Sequence, residues 1–238
     1  MTGNSDSGAG GDRIGSIGDR VGSRSTANTS AAGVHGRDSS LFDRLLRLSN
    51  GVFAISLTLL VLNVAVPADT PSSDLFGALV SLTPSVVAFA VTVFVVALYW
   101  KNHHFLFETF RGVDATLIGL NFGYLALVAI VPFPNELISA YQGNPWAYVV
   151  FATVLTLLSA VDLAMFAYAK HRRLLRDAVT RSTYRVELGR GAVTTLVFAA
   201  SVPLSFLLAG WTPLLWLALV PLDRAVVRGV TRLETEYS

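Results

Sequence analysis

Hydrophobic positions fall along this chain in long, uncharged segments that are separated by short polar connections. The first segment, Leu48–Pro67, is uncharged throughout and matches the ~20 helical residues that cross the hydrocarbon core of a bilayer. The stretch 191–222 is also uncharged, but one helix of that length would rise ~48 Å, well beyond a ~30 Å core. Gly210 and Pro213 interrupt it, which favours two short helices. The pattern therefore predicts six membrane-crossing helices, at about 45–67, 75–100, 115–135, 145–170, 190–208 and 211–228.

Two different faces separate on the first segment when it is wound at 100° per residue. Ser49, Ser56 and Asn63 share one stripe of the helix. The opposite stripe is apolar and consists of Ile55, Leu59, Leu62 and Val66. Polar groups in lipid cost free energy unless they are hydrogen bonded, so we expect the polar stripe to pack against neighbouring helices. On this physical argument alone, the apolar stripe would face lipid.

The basic residues predict which side of the membrane each connection occupies. All 18 Lys and Arg lie in the amino-terminal tail, the second and fourth connections, the edge of segment five and the carboxyl end. The first, third and fifth connections carry none. With six crossings every basic residue lies on one side, which the positive-inside rule makes cytoplasmic. The sequence thus predicts an all-α, multi-pass protein of the cell membrane, embedded in the lipid bilayer with both termini in the cytoplasm.

Composition supports this class and excludes others. Of the 238 residues, 53% are hydrophobic and only 14% are charged, whereas soluble domains are about 25% charged. Residues 1–40 hold too few large apolar side chains to offset the entropy of ordering, so they are predicted to be a disordered tail before a membrane domain at 41–232 and a short tail at 233–238. The chain has no cysteine and no phosphate-binding loop, nucleophile elbow or zinc-protease motif. We expect no catalytic residues, no cofactor and no nucleic-acid partner.

Three ionisable side chains lie at or within the predicted helices. His103 and His104 follow Trp100 in a cluster typical of a membrane boundary, and no carboxylate stands at metal-ligand spacing, so no metal site is predicted. Asp162 is in the inner half of segment four. A charge at the centre of a crossing costs ~2.5 to 3.5 kcal/mol, which favours a satisfied packing or interfacial role for Asp162 over a role in an ion path.

Several short motifs follow one another in register across the first half of the chain. Arg44 precedes Leu48-Ser49-Asn50 by three intervening residues, and later matches are Trp100 with His103, then Asn121, then Pro132-Phe133-Pro134. Together they resemble the six-helix bacterial form of the transmembrane protein 175 family of potassium channels, over roughly residues 44–140. That family reads Arg-x-x-x-Phe-Ser-Asp at the first motif, so Leu48 and Asn50 depart from it.

The resemblance implies a homotetramer that conducts potassium ions through a pore lined by helix one of four subunits. It implies an apolar constriction, with the narrowest ring at Ile55, then Leu59 and Leu62, and Thr58 beside them. The apolar stripe would then face the pore axis and not lipid. The resemblance also implies an inter-helix polar cluster at the inner side, formed by Arg44, Ser49, Asn50, Trp100 and His103. Because Asn50 brings no charge to pair with Arg44, we expect this cluster to be weaker here.

Two alternatives remain open from the sequence. A proton-conducting or proton-coupled path would use His103, His104 and Asp162, and its current would depend on pH. A non-conducting membrane scaffold would interact through the basic fourth connection and the amino-terminal tail. A stable monomer or dimer would favour the scaffold, since one copy of helix one cannot enclose a pore.

Overall fold

The fold was analysed in a computed structural model that describes residues 33–66, 68–216, 222 and 225. It is mostly helical, as predicted. Five helical stretches are long and apolar enough to cross a membrane. They are Ser40–Asn63, Thr83–Thr109, Ala115–Ala140, Pro145–His171 and Arg181–Leu208. Most of the predicted sixth helix at 211–228, most of the predicted tail at 1–40 and the tail at 233–238 lie outside the described residues.

The described chain contains eight α-helices, three short 3₁₀ helices and two short strands. The helices are α1 (Ser40–Leu60), α2 (Leu75–Ser81), α3 (Thr83–Thr109), α4 (Ala115–Ile130), α5 (Pro132–Ala140), α6 (Pro145–His171), α7 (Arg181–Leu208) and α8 (Thr212–Trp216). The strands are β1 (His35–Gly36) and β2 (Gly112–Val113). The sequence did not predict β1 and β2, but each holds only two residues, and the described chain is mostly helical, as predicted.

The helices begin at side-chain caps and break at prolines. The side chains of Ser39, Asp114 and Asn144 accept hydrogen bonds from backbone N–H groups in the first turns of α1, α4 and α6, which satisfies donors that have no partner within the helix. Pro84 and Pro132 stand in the first turns of α3 and α5, where a missing N–H costs nothing. Predicted segments two and three are each therefore divided into two helices.

Residues 33–40 differ from the predicted disordered tail. His35 pairs with Val113 and Gly36 with Gly112 in an antiparallel β1–β2 ladder, and Ser40 already begins α1. The backbone N–H of Arg37 also donates to the carbonyl of Arg111 over 3.0 Å. The ordering comes from hydrogen bonds to a distant loop, which compensate for the small number of apolar side chains in this segment.

Helix α1 packs against α3 and α4 on one side, while α6 packs against α4, α5 and α7. Large apolar side chains between them form one core, in which Phe53, Leu60, Tyr124 and Phe151 are almost fully buried. The α3–α4 turn and the α6–α7 connection are joined by a β-bridge between Phe110 and Leu175. The packing against α3 and α4 determines which face of α1 is buried.

Candidate functional site

The polar stripe of α1 is held by hydrogen bonds to neighbouring helices. The hydroxyl of Ser56 donates to the backbone carbonyl of Val128, 2.9 Å away at the end of α4. The side-chain amide of Asn63 donates to the carbonyl of Pro132 over 3.1 Å. Both acceptors lie where α4 gives way to α5, and the Val128 carbonyl also accepts from the backbone N–H of Val131. The predicted packing of the polar stripe is confirmed by these contacts.

Ser49 joins a buried polar cluster that links three helices. Asn121 on α4 is 1% exposed; its amide nitrogen lies 3.4 Å from the Ser49 hydroxyl and its amide oxygen 2.9 Å from Nε2 of His103 on α3. The Ser49 hydroxyl itself donates to the carbonyl of Leu45. With His103 also 1% exposed, the buried imidazole depends on the Asn121 amide for its hydrogen-bond partner.

Aromatic rings enclose His103 on several sides. Its imidazole stacks on Phe107 at 4.6 Å and on Tyr124 at 5.0 Å between ring centroids, and it meets the edge of Phe53 at 5.6 Å. These rings remove the imidazole from solvent. Their packing makes His103 a structural element of the α1–α3–α4 junction.

Trp100 and Asn50 form a second and more exposed contact at the same junction. The indole Nε1 donates to the side-chain oxygen of Asn50 over 3.0 Å. Arg44 is exposed on α1, and the ion pairs of the described residues do not include it. The structure thus places four of the five predicted cluster residues in two separate pairs: Ser49 and His103, joined through Asn121, and Asn50 with Trp100. Arg44 is outside these contacts, and Asn50 carries no charge that could pair with it.

The apolar stripe of α1 is uncovered within this chain. Ile55 is 60% exposed, Leu59 41% and Leu62 69%. Thr58 is exposed beside them, and its hydroxyl donates to the carbonyl of Ile55 one turn earlier over 2.8 Å, so it has already satisfied its donor. One side of α1 is therefore bound to its own bundle, and the other presents bulky aliphatic side chains outward.

Comparison with known proteins places this geometry in a family. The sequence model of the family described as endosomal/lysosomal potassium channel TMEM175 matches residues 44–132. A potassium channel of Streptomyces collinus is 34% identical over 174 residues, which cover 71% of this chain and 84% of that channel. The chain belongs to the TMEM175 family.

Two further similarities agree with membership of the TMEM175 family. A potassium channel of Chamaesiphon minutus is 34% identical over 130 residues, which cover 54% of this chain and 64% of that channel. The crystal structure of a lysosomal potassium-selective channel TMEM175 homolog from the same organism superposes with a TM-score of 0.61 at 26% identity, covering 81% of this chain and 97% of that one. TMEM175 is a family of membrane channels, so the chain is a multi-pass membrane protein and not an enzyme.

Some polar contacts of this TMEM175 bundle were missed by the sequence analysis. Thr92 on α3 donates to the side-chain oxygen of Asn135 on α5 over 2.7 Å, and both are buried. Asn102 donates to Oδ2 of Asp162 on α6. The sequence shows Thr92 only as a polar residue inside an uncharged segment. It could not show the partner, because Asn135 lies on another helix. Within the described ranges, no group of three or more His, Cys, Asp or Glu could hold a metal ion.

Proposed function

We propose that this chain is one subunit of a potassium-permeable channel, and that the apolar stripe of α1 lines its pore. The observation that carries the proposal is the contrast between the two sides of α1. Ser56 and Asn63 are bonded within the chain, whereas Ile55 and Leu62 are more than half exposed. The identity of the permeant ion, potassium, is inferred from relatives that are named potassium channels.

The uncovered stripe gives a reason for assembly as a homotetramer. One copy of α1 cannot enclose a pore, but four copies around an axis bring their Ile55 side chains together as a ring. Leu59 and Leu62 follow on the same face and extend the apolar constriction, with Thr58 at its edge. An apolar ring of this kind gates by dewetting, because small changes in its radius decide whether water and ions pass.

The proposed subunit crosses the cell membrane six times, with both termini in the cytoplasm. Five candidate spans and a sixth at 211–228 give an even number of crossings. With six crossings, every Lys and Arg lies on the same side of the membrane as Trp100, Lys101 and the 170–190 connection. The positive-inside rule makes that side the cytoplasm.

Potassium flux into proteoliposomes that contain the purified full chain tests this function. We expect flux well above that of empty vesicles, together with cross-linked species that extend to four subunits and no further. A tetramer that conducts nothing would overturn the channel function. A stable monomer or dimer would support a membrane scaffold, and flux driven by a proton gradient in the absence of potassium would support the proton path.

A further inference from the structure

Two arginine side chains converge on one backbone oxygen at the end of α3. Nη1 of Arg37 donates to the carbonyl of Glu108 over 2.8 Å, and Nη1 of Arg176 lies 3.5 Å from the same oxygen. The two guanidinium groups are therefore within two hydrogen-bond lengths of each other. Because Arg37 precedes α1 and Arg176 follows α6, distant parts of the chain bring two positive charges together here.

Backbone hydrogen bonds hold both arginines beside the loop that follows α3. The N–H of Arg37 donates to the carbonyl of Arg111 over 3.0 Å, and the N–H of Arg176 donates to the carbonyl of Thr109 over 2.9 Å. The guanidinium carbon of Arg37 also lies over the ring of Phe42, 5.7 Å from its centroid. A guanidinium that stacks through its face keeps the N–H groups at its edge for other acceptors.

The charges of the two arginines are not neutralised by a carboxylate among the described residues. The ion pairs within those ranges include neither Arg37 nor Arg176, and they do not include Asp38 or Asp177, the acids that follow them in the chain. The carboxylate of Glu108 lies 3.4 Å from a histidine nitrogen of its own helix. Each guanidinium has five N–H groups, so one shared carbonyl leaves both with donors for an anion.

A pair of adjacent guanidinium groups fits a doubly charged oxyanion. A phosphate monoester carries about −1.5 to −2 charges at pH 7 and has three strong acceptor oxygens, so it can accept hydrogen bonds from both groups at once. A carboxylate or a phosphate diester carries a single charge. Arginine is also the side chain whose planar fork matches phosphate oxygens in paired hydrogen bonds.

The position of the pair puts it within reach of lipid headgroups. Helix α3 holds 27 residues and rises ~40 Å, about the thickness of a bilayer with its headgroups. Glu108 is the last residue but one of this helix, so its carbonyl lies at the headgroup level. Phe105, one turn earlier, is 37% exposed and presents an apolar surface to an acyl chain.

We propose that Arg37 and Arg176 bind a phosphate monoester group, presented by a lipid headgroup such as that of phosphatidic acid or by free phosphate. Each guanidinium donates to the phosphate oxygens while it keeps its contact with the Glu108 carbonyl. The bound phosphate links the segment before α1 to the α6–α7 connection across the end of α3.

Lipid binding by the purified full chain in detergent tests the membrane source. Native mass spectrometry would titrate phosphatidic acid and phosphatidylglycerol with identical acyl chains. We expect half-saturation at an about tenfold lower concentration of phosphatidic acid, the effect of one additional charge-assisted hydrogen bond. Arg37→Gln and Arg176→Gln should each bring the two lipids to within about twofold of each other. The matched control is Arg185→Gln, which removes an equal charge from an exposed position on α7 and should leave the preference unchanged.

Inorganic phosphate alone tests the aqueous source. Hydrogen exchange of the parent chain would be compared in phosphate and in chloride at equal pH and ionic strength. Where free phosphate is sufficient, exchange at the amides of Arg37 and Arg176 should slow at least about threefold, because a bound anion stabilises the state in which both segments are held. Neither glutamine variant should show this slowing, and Arg185→Gln should keep it.

The two arms separate the sources of the phosphate. A preference for phosphatidic acid without an effect of inorganic phosphate identifies a lipid headgroup, and slower exchange in phosphate identifies the free anion as sufficient. The proposal would be overturned by no response in either arm of the parent chain, a result that needs no variant to fold. A response that survives both glutamine substitutions would also overturn it. None of these readouts depends on ion conduction, so the phosphate site and the channel function can fail separately.

Discussion

Replacing Asn121 with leucine tests whether the buried polar cluster stabilises the junction of α1, α3 and α4. The substitution keeps side-chain size and removes both amide contacts, the 2.9 Å contact to His103 and the 3.4 Å contact to Ser49. Ser49 keeps an acceptor in the carbonyl of Leu45, so the main penalty falls on Nε2 of His103, which is left buried without a partner. We expect the free energy of unfolding to fall by about 2 kcal/mol.

Asn50→Leu is the matched control for this substitution. It makes the same residue change on a helix, so the gain in helix propensity is the same for both variants. The lost contact, Trp100 to Asn50, is exposed, and its loss should cost less than about 1 kcal/mol. Reversible unfolding in mixed micelles with increasing dodecyl sulfate, followed by circular dichroism, measures both variants on one scale.

A double variant shows whether the penalty comes from the unsatisfied imidazole. Phenylalanine at position 103 would keep the ring stacking on Phe107 and Tyr124 and would need no partner. Removing both partners of a buried hydrogen bond is nearly neutral, so His103→Phe combined with Asn121→Leu should recover more than half of the lost stability. Equal losses for the Asn121 and Asn50 variants, or no recovery in the double variant, would refute this account of the cluster.

Two other substitutions probe contacts outside α1. Thr92→Val removes the donor to Asn135, and because Asn135 is fully buried we expect a loss of about 1–2 kcal/mol in the same unfolding assay; an unchanged midpoint would contradict it. Gly112→Ala places a Cβ 2.7 Å from the backbone oxygen of His35, so hydrogen exchange at Arg37 should become faster. Gly119→Ala, where an added Cβ meets nothing within 4 Å, is the control, and equal exchange in both variants would argue against β1–β2 pairing.

The existence of the membrane helices was predictable because it depends on local properties of the sequence. Uncharged stretches of about 20 residues specify a crossing whatever their neighbours are. The orientation of the polar stripe was predictable for the same reason, since helical periodicity alone puts Ser49, Ser56 and Asn63 on one side. The acceptors of Ser56 and Asn63 were not predictable, because the carbonyls of Val128 and Pro132 belong to another part of the chain, about 70 positions away.

The helix ends and the amino-terminal tail depended on contacts that the sequence pattern does not contain. Helix α1 begins at Ser40, well before the uncharged segment that starts at Leu48, because Asp43 and Arg44 lie on its exposed side while Phe42 is buried. Charged residues therefore did not end the helix. The β1–β2 pairing joins residues more than 70 positions apart, and no local composition predicts it. The place of Arg44 in the polar cluster that the resemblance implies stays a prediction, since Arg44 is exposed on α1.

The most direct test of the proposed pore compares potassium flux through the parent chain with flux through Ile55→Asn. Asparagine at this position puts a hydrogen-bonding group in the proposed narrowest ring and wets it. Leu207→Asn is the control, because Leu207 is 80% exposed on α7, away from the proposed pore. We predict that Ile55→Asn raises flux severalfold over the parent while Leu207→Asn leaves it unchanged. Flux through Ile55→Asn no higher than that of the parent, in protein shown to be tetrameric, would contradict the assignment of the apolar stripe to the pore.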